Sequence, residues 1–141
     1  MELATRASCR VGMCQVLIVP WYTSTLNKHP SNCLGWIAIE GRRVWEALQF
    51  LHNKGYAHMN VKAMNIPVEH ANHWFLGDFG SCKPLGTLVT SCSIAFCWMN
   101  VIGHRAIAKY DNFMFLLMLL IECCTLCTLT TLLNALALCQ S

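Results

Sequence analysis

Apolar positions along this chain follow two different rhythms, and one long stretch has hardly any polar positions. Between Trp36 and Asn53 the apolar residues Ile37, Val44, Ala47, Leu48 and Leu51 recur at three- and four-residue spacing, while Glu40, Arg42, Arg43, Glu46 and Gln49 fall elsewhere. That period predicts an amphipathic helix over 36–53, closed by Asn53-Lys54-Gly55 as a C-cap. Val16 to Val19 is a β-branched run of strand length, stopped by Pro20 and the aromatic pair Trp21-Tyr22. Residues 1–15 lack a clear period and read as a lead-in or short strand. Thr23 to Gly35 clusters Asn, Pro, Ser and Gly, so it reads as a loop with at most one helical turn near Leu26. Ile66-Pro67-Val68 and Trp74-Phe75-Leu76, parted by the polar stretch Glu69 to His73, suit a small hairpin. Residues 81–109 show weak periodicity and read as mostly irregular. Asn112 to Leu138 is strongly apolar and long enough for helix, interrupted by Glu122 and the Thr-rich Thr125 to Thr131.

Composition changes this picture in three ways. The 141 residues suit one domain, and 55% of them are hydrophobic against 12% charged, well below the roughly 25% charged of an ordinary soluble domain. The surface is therefore poor in ions, and a partner covering one face is expected. The net charge of +3 comes without a basic run, which argues against a nucleic-acid footprint and an anionic-membrane patch. Ten cysteines are present, but no secretory signal is readable and the one C-x-x-C, Cys124 to Cys127, has no second pair. Reduced, largely buried cysteines in an intracellular, cytoplasmic protein are the expectation.

Phe113 to Leu138 must also be weighed as a membrane span, since about 20 apolar residues suffice to cross a bilayer. Glu122 near its middle, the threonines and the lack of a basic flank reduce that case. A buried helix followed by an apolar tail is favoured, with membrane association as the alternative.

The chemistry-bearing residues lie between these elements. His58-Met59-Asn60-Val61-Lys62-Ala63-Met64-Asn65 keeps the spacing H-R-D-L-x-x-x-N, and Asp78-Phe79-Gly80 follows after the hairpin. Upstream, Leu51-His52-Asn53-Lys54-Gly55-Tyr56-Ala57-His58 matches L-H-x-x-G-x-x-H. Downstream, Asp111-Asn112-Phe113 resembles D-x-W. Occurring in this order, these features over residues 16 to about 122 resemble a protein kinase of Ser/Thr type. The fold implied is α+β, mainly α: a protein-kinase-like C-terminal lobe with a hinge strand, its N-lobe largely absent. In that frame 1–15 is a lead-in, 16–22 is hinge-like, 36–122 is the C-lobe core and 123–141 is an apolar tail.

The resemblance assigns roles residue by residue. Asn60 stands where the family carries its carboxylate base; an amide can hydrogen-bond but cannot take the proton of a substrate hydroxyl, a task worth about 10²–10⁴-fold. Lys62 matches the lysine that steadies the transferring phosphoryl group. Asn65 and Asp78 match the Mg2+ ligands, with hard oxygens suited to that ion. Val19, Trp21 and Pro67 fall at nucleotide-contacting positions, Pro67 beneath the adenine. His58, Phe79, Gly80 and Asp111 are structural, Asp111 holding the catalytic-loop backbone. Thr87, Thr90 and Ser91 fall in the activation segment, but Trp98-Met99-Asn100 stands where A-P-E should close it.

No G-x-G-x-x-G and no V-A-I-K lysine are present, so ATP and Mg2+ are expected to bind weakly if at all. The function implied is a catalytically impaired, pseudokinase-type binding module whose partner is another kinase or a protein substrate. Two alternatives stand beside it: a fragment of an active ATP-dependent Ser/Thr kinase, and a small membrane-anchored protein with 113–138 as its span.

Overall fold

The computed structural model describes residues 7–11, 14–18, 22–30, 33–69, 72–90 and 101–139, and side chains within 22–30, 33–69, 72–90 and 101–128. Val19, Trp21, Ser91 and Trp98-Met99-Asn100 therefore lie outside the described residues.

Among the described residues, two α-helices and three two-stranded antiparallel sheets make a mixed α/β structure. Strands β1 (Ala7–Val11) and β2 (Cys14–Ile18) pair from Ala7↔Ile18 to Val11↔Cys14. Strand β3 (Ser24–Thr25) pairs with β5 (Pro67–Val68), and β4 (Tyr56–Ala57) pairs with β6 (Lys83–Pro84). The segment Thr23 to Gly35 is thus not wholly a loop, and 81–109 is not wholly irregular. Both strands are two residues long and owe their existence to partners far along the chain.

Helix α1 (Leu34–Asn53) forms over the amphipathic stretch. Its C-terminus is closed by Lys54 and by Gly55, whose φ of +82° is a conformation that only glycine adopts without cost. Helix α2 (Ala108–Cys139) starts four residues earlier than its apolar run and passes through the Thr-rich stretch without a break. Thr125 and Thr128 bond back to the carbonyls of Ile121 and Cys124, which lets a threonine sit inside a helix.

The main core joins one face of each helix to the hairpin. Ile37, Val44 and Leu48 of α1 meet Met114, Phe115 and Met118 of α2 around Leu26, Val61, Ile66, Val68 and Trp74. A smaller cluster of Ala57, Met59, Val89, Val101 and Ala106 lies beside it. The hairpin expected at 66–76 is present: Val68 bridges Trp74, Glu69 N–H donates to His73 O at 3.1 Å, and Phe75 N–H donates to Pro67 O at 3.0 Å.

Two expectations are corrected by burial. Glu40, grouped above with the polar positions, is fully enclosed. It lies three residues after Ile37 and four before Val44, which puts it on the apolar stripe itself. The described cysteines are also not largely buried: Cys33, Cys124 and Cys127 are exposed, and Cys82 and Cys123 half-buried. Cys33 precedes α1, Cys82 follows the turn Phe79–Ser81, and of the described α2 cysteines only Cys123 packs against the main core.

Among the described residues one helical stretch, Ala108–Thr128, is long and apolar enough to cross a membrane, with a mean hydropathy of 1.6. Its first half is not a free span, because Met114, Phe115 and Met118 belong to the core.

Candidate functional site

The loop from His58 to Asn65 is fixed from below by one carboxylate. Asp111, in the first turn of α2, accepts the His58 N–H on Oδ2 at 2.6 Å and the Met59 N–H on Oδ1 at 2.7 Å. His52 Nε2 from the last turn of α1 lies 2.8 Å from the same Oδ2. Asp111 is wholly buried, so these contacts are what make its charge tolerable there. They also explain Met59, whose φ of +65° is the left-handed region that a methionine occupies only at a cost of about 1–2 kcal/mol.

His58 ties this loop to the next. Its Nε2 donates to Gly77 O at 2.8 Å, and its Nδ1 accepts the Asn60 N–H at 3.3 Å. Together these bonds describe a neutral imidazole protonated at Nε2. Burial pushes the His58 pKa below the usual 6.5, against the opposing pull of the Gly77 carbonyl, Asp111 and Asp78. The ring also meets Phe79 edge-on, with centroids 5.3 Å apart.

Asn65 closes the loop on itself. Its backbone N–H donates to Lys62 O at 2.8 Å, ending the 3-10 turn Ala63–Asn65, and its Nδ2 donates to Asn60 O at 2.8 Å. The amide oxygen of Asn65 is then the acceptor left on that side chain. Gly77 N–H donates to Asn65 O at 3.0 Å, which brings the start of the second motif against the end of the first. Gly77 has to be glycine: a Cβ there would sit 2.8 Å from the Pro67 ring. Asp78 follows at φ +54°, a region that Asp tolerates better than most residues, and its Oδ1 accepts the Gly80 N–H at 3.3 Å to cap the turn Phe79–Ser81.

Residues 58, 60, 65, 77 and 111, separated by up to 53 positions, are thus gathered by a single hydrogen-bond network, and Asp78 follows Gly77 in the chain with its own bond to Gly80 N–H. Asn60 and Asn65 are buried, Lys62 and Pro67 half-buried, and Asp78 exposed. Pro67 pairs with Thr25 in the β3–β5 sheet, and the Tyr22 and Phe75 rings meet at a tilt with centroids 5.1 Å apart. Three participants were not singled out in the sequence as site residues: His52 as a partner of Asp111, Gly77 as the close-approach residue, and Glu40 beneath the hairpin. For Glu40 the signal was present in its spacing from Ile37 and Val44.

The donor set can be tested against Mg2+. The Asn65 amide oxygen and the exposed Asp78 carboxylate are hard oxygen ligands of the type this ion takes, and Mg2+ keeps several waters rather than needing a full protein cage. Among the described residues no group of three His, Cys, Asp or Glu side chains could hold a metal.

Sequence comparison points in one direction. The chain is 38% identical over 61 residues to the Rho-associated protein kinase let-502 of Caenorhabditis briggsae, covering 43% of this chain and 5% of that protein. It is 33% identical over 69 residues to the dual serine/threonine and tyrosine protein kinase of Takifugu rubripes, covering 49% of this chain and 7% of that protein. It is 31% identical over 80 residues to a probable casein kinase I homolog of Encephalitozoon cuniculi, covering 50% of this chain and 25% of that protein. No protein-family model matches the chain. About half of the chain therefore has partial homology to Ser/Thr-type protein kinases, and it spans at most a quarter of the length of these relatives.

Proposed function

We propose that this chain is a protein-kinase-like module of Ser/Thr type in which phosphotransfer is impaired, and that it acts as a pseudokinase-type binding module towards another kinase or a protein substrate. The observation that carries the reading is Asn60. Its backbone is held on both sides, by His58 Nδ1 and by Asn65 Nδ2, in a loop whose spacing matches that of the kinase catalytic loop. An amide at that point can orient a hydroxyl but has no basic site for its proton.

The rest of the cluster supports weak nucleotide binding. Bound Mg2+ would neutralise phosphate charge beside Asn65 and Asp78. Lys62 would add a cation on the same loop, and Pro67 would offer an apolar surface to a base. His58 stays neutral and uncommitted to proton transfer, since both ring nitrogens are engaged in holding the two motifs together.

The test is twofold. Thermal shifts with ATP are expected to be small, Mg2+-dependent and absent in Asp78→Ala, and purified protein is expected to leave a generic peptide unphosphorylated. Phosphorylation that Asp78→Ala abolishes would overturn the impairment. The alternative of an active kinase fragment predicts instead that Asn60→Asp, joined to an upstream N-lobe, gains activity.

One observation favours a second reading in which the chain is membrane-anchored. Beyond Glu122 the helix α2 carries no charged residue, and the exposed Leu116, Leu120 and Ile121 lie on the outer side of its described half. Resistance of a tagged chain to carbonate extraction would support it, and release into the soluble fraction would remove it.

A further inference from the structure

We propose that Glu40 is a positioning residue for the segment that delivers Asp78, an inference that rests on reading Asn65 and Asp78 as the cation-facing pair. Three residues one turn apart on α1 grip three consecutive residues of the hairpin. Trp36 Nε1 donates to Asn72 O at 2.9 Å, and its ring stacks on His73 with centroids 6.0 Å apart. The Glu40 Oε2 accepts the Trp74 N–H at 3.0 Å, while Oε1 lies 3.1 Å from His73 Nδ1 and 3.2 Å from Arg43 Nη1. Arg43 Nη1 in turn lies 2.6 Å from His73 Nδ1.

A carboxylate that is fully enclosed is costly unless donors meet it, and here two of its three partners, Trp74 N–H and His73 Nδ1, belong to the returning side of the hairpin, the third being Arg43 on α1 itself. From Trp74 the chain runs through Phe75, bonded to Pro67 O, to Gly77, whose N–H meets Asn65 O and whose carbonyl takes the His58 Nε2–H. The segment from Trp74 to Asp78 is thus pinned at its start by Glu40 and near its end by Asn65 and His58. Gly77 passes close against Pro67 between these points, where a methyl group would collide with the ring. The same rod that carries Glu40 carries His52 against Asp111, so α1 sets the register of both loops.

A purely stabilising contact and a positioning one differ in what a folded variant does. The first lowers the unfolding midpoint and leaves cation affinity unchanged; the second changes affinity in molecules that are still folded. The experiment uses the full chain with Mn2+ as a paramagnetic stand-in for Mg2+, read by water-proton relaxation, together with amide exchange at Trp74 and Gly77. Glu40→Ala is expected to weaken Mn2+ binding about tenfold, on the scale of one charge-assisted hydrogen bond, and Glu40→Gln about threefold, because it keeps an acceptor for Trp74 but loses the charge facing Arg43 and His73. Both are expected to speed exchange at Gly77 as well as Trp74. If Glu40→Ala does not fold, Glu40→Gln decides. Unchanged Mn2+ affinity in folded Glu40→Gln, or faster exchange confined to Trp74, would overturn the positioning role. If the unaltered protein shows no Mn2+ binding that Asp78→Ala removes, the cation-facing reading of the pair falls, and Gly77 exchange in Glu40→Gln alone decides whether Glu40 positions the segment.

Discussion

Asp111 and Glu122 stand three turns apart on the same helix, both buried carboxylates, and their surroundings could hardly differ more. Asp111 takes two backbone N–H groups and a histidine at 2.6–2.8 Å, whereas the Oε2 of Glu122 is buried with no hydrogen-bond partner. Burial alone pushes the Glu122 pKa above the usual 4.5. The difference teaches what a buried carboxylate is for. Asp111 organises a loop and is stabilised in return; Glu122 is carried on the core-facing side, four residues after Met118, without a structural return in the described residues.

The comparison breaks first at Asp111. Asp111→Ala leaves the amides of His58 and Met59 buried without an acceptor and is expected to cost about 3–5 kcal/mol in urea unfolding, with amide exchange at both residues rising sharply. Asp111→Asn, with one acceptor oxygen, should fall between. An effect below about 1 kcal/mol would mean that the loop is held by other means.

Next comes the opposite side of the same loop. Gly77→Ala drives a Cβ to within 2.8 Å of the Pro67 ring and is expected to cost about 1–3 kcal/mol by overpacking. A neutral result would show that the Pro67 ring can move aside.

Glu122→Leu should act in the other direction, raising stability by about 1–2 kcal/mol, because it removes an unpartnered polar group from an apolar setting. A loss of stability would reveal a partner for that carboxyl.

The smallest effect is the pH dependence, where the two sites give opposite signs. His58 is held below 6.5 by burial, so its contribution is complete above pH 6.5 and is lost as pH falls through its folded value. Glu122 is held above 4.5, so its contribution is complete below pH 4.5 and is lost as pH rises through its folded value. Denaturation midpoints between pH 4.5 and 8 should therefore separate Glu122→Gln from the unaltered protein increasingly at higher pH. A separation that shrinks as pH rises would reverse the assignment.

Much of the local structure was legible because it follows from local rules. The three- and four-residue spacing from Ile37 to Leu51 required a helix, Gly55 required a stop, and the polar interval between Val68 and Trp74 required a reversal. The strands β3 and β6 were not legible, since two residues carry no period and each exists only through its partner. Glu40 was misplaced for a different reason: residue type was given precedence over position, although its place between Ile37 and Val44 put it inward. The start of α2 at Ala108 was likewise hidden, because Lys109 and Asp111 break the apolar run while Asp111 is called inward by the loop amides.

By itself the sequence determined the period of α1 and its stop at Gly55, the apolar character of α2, the order of the loop motifs, and the amide at Asn60. Those are properties of neighbours along the chain. Only the tertiary structure decided which carboxylates are partnered, that His58 joins two loops while neutral, and that Gly77 passes against Pro67. Hydrogen-bond partners and desolvation are set by groups dozens of residues away, and no local pattern encodes the distance between them.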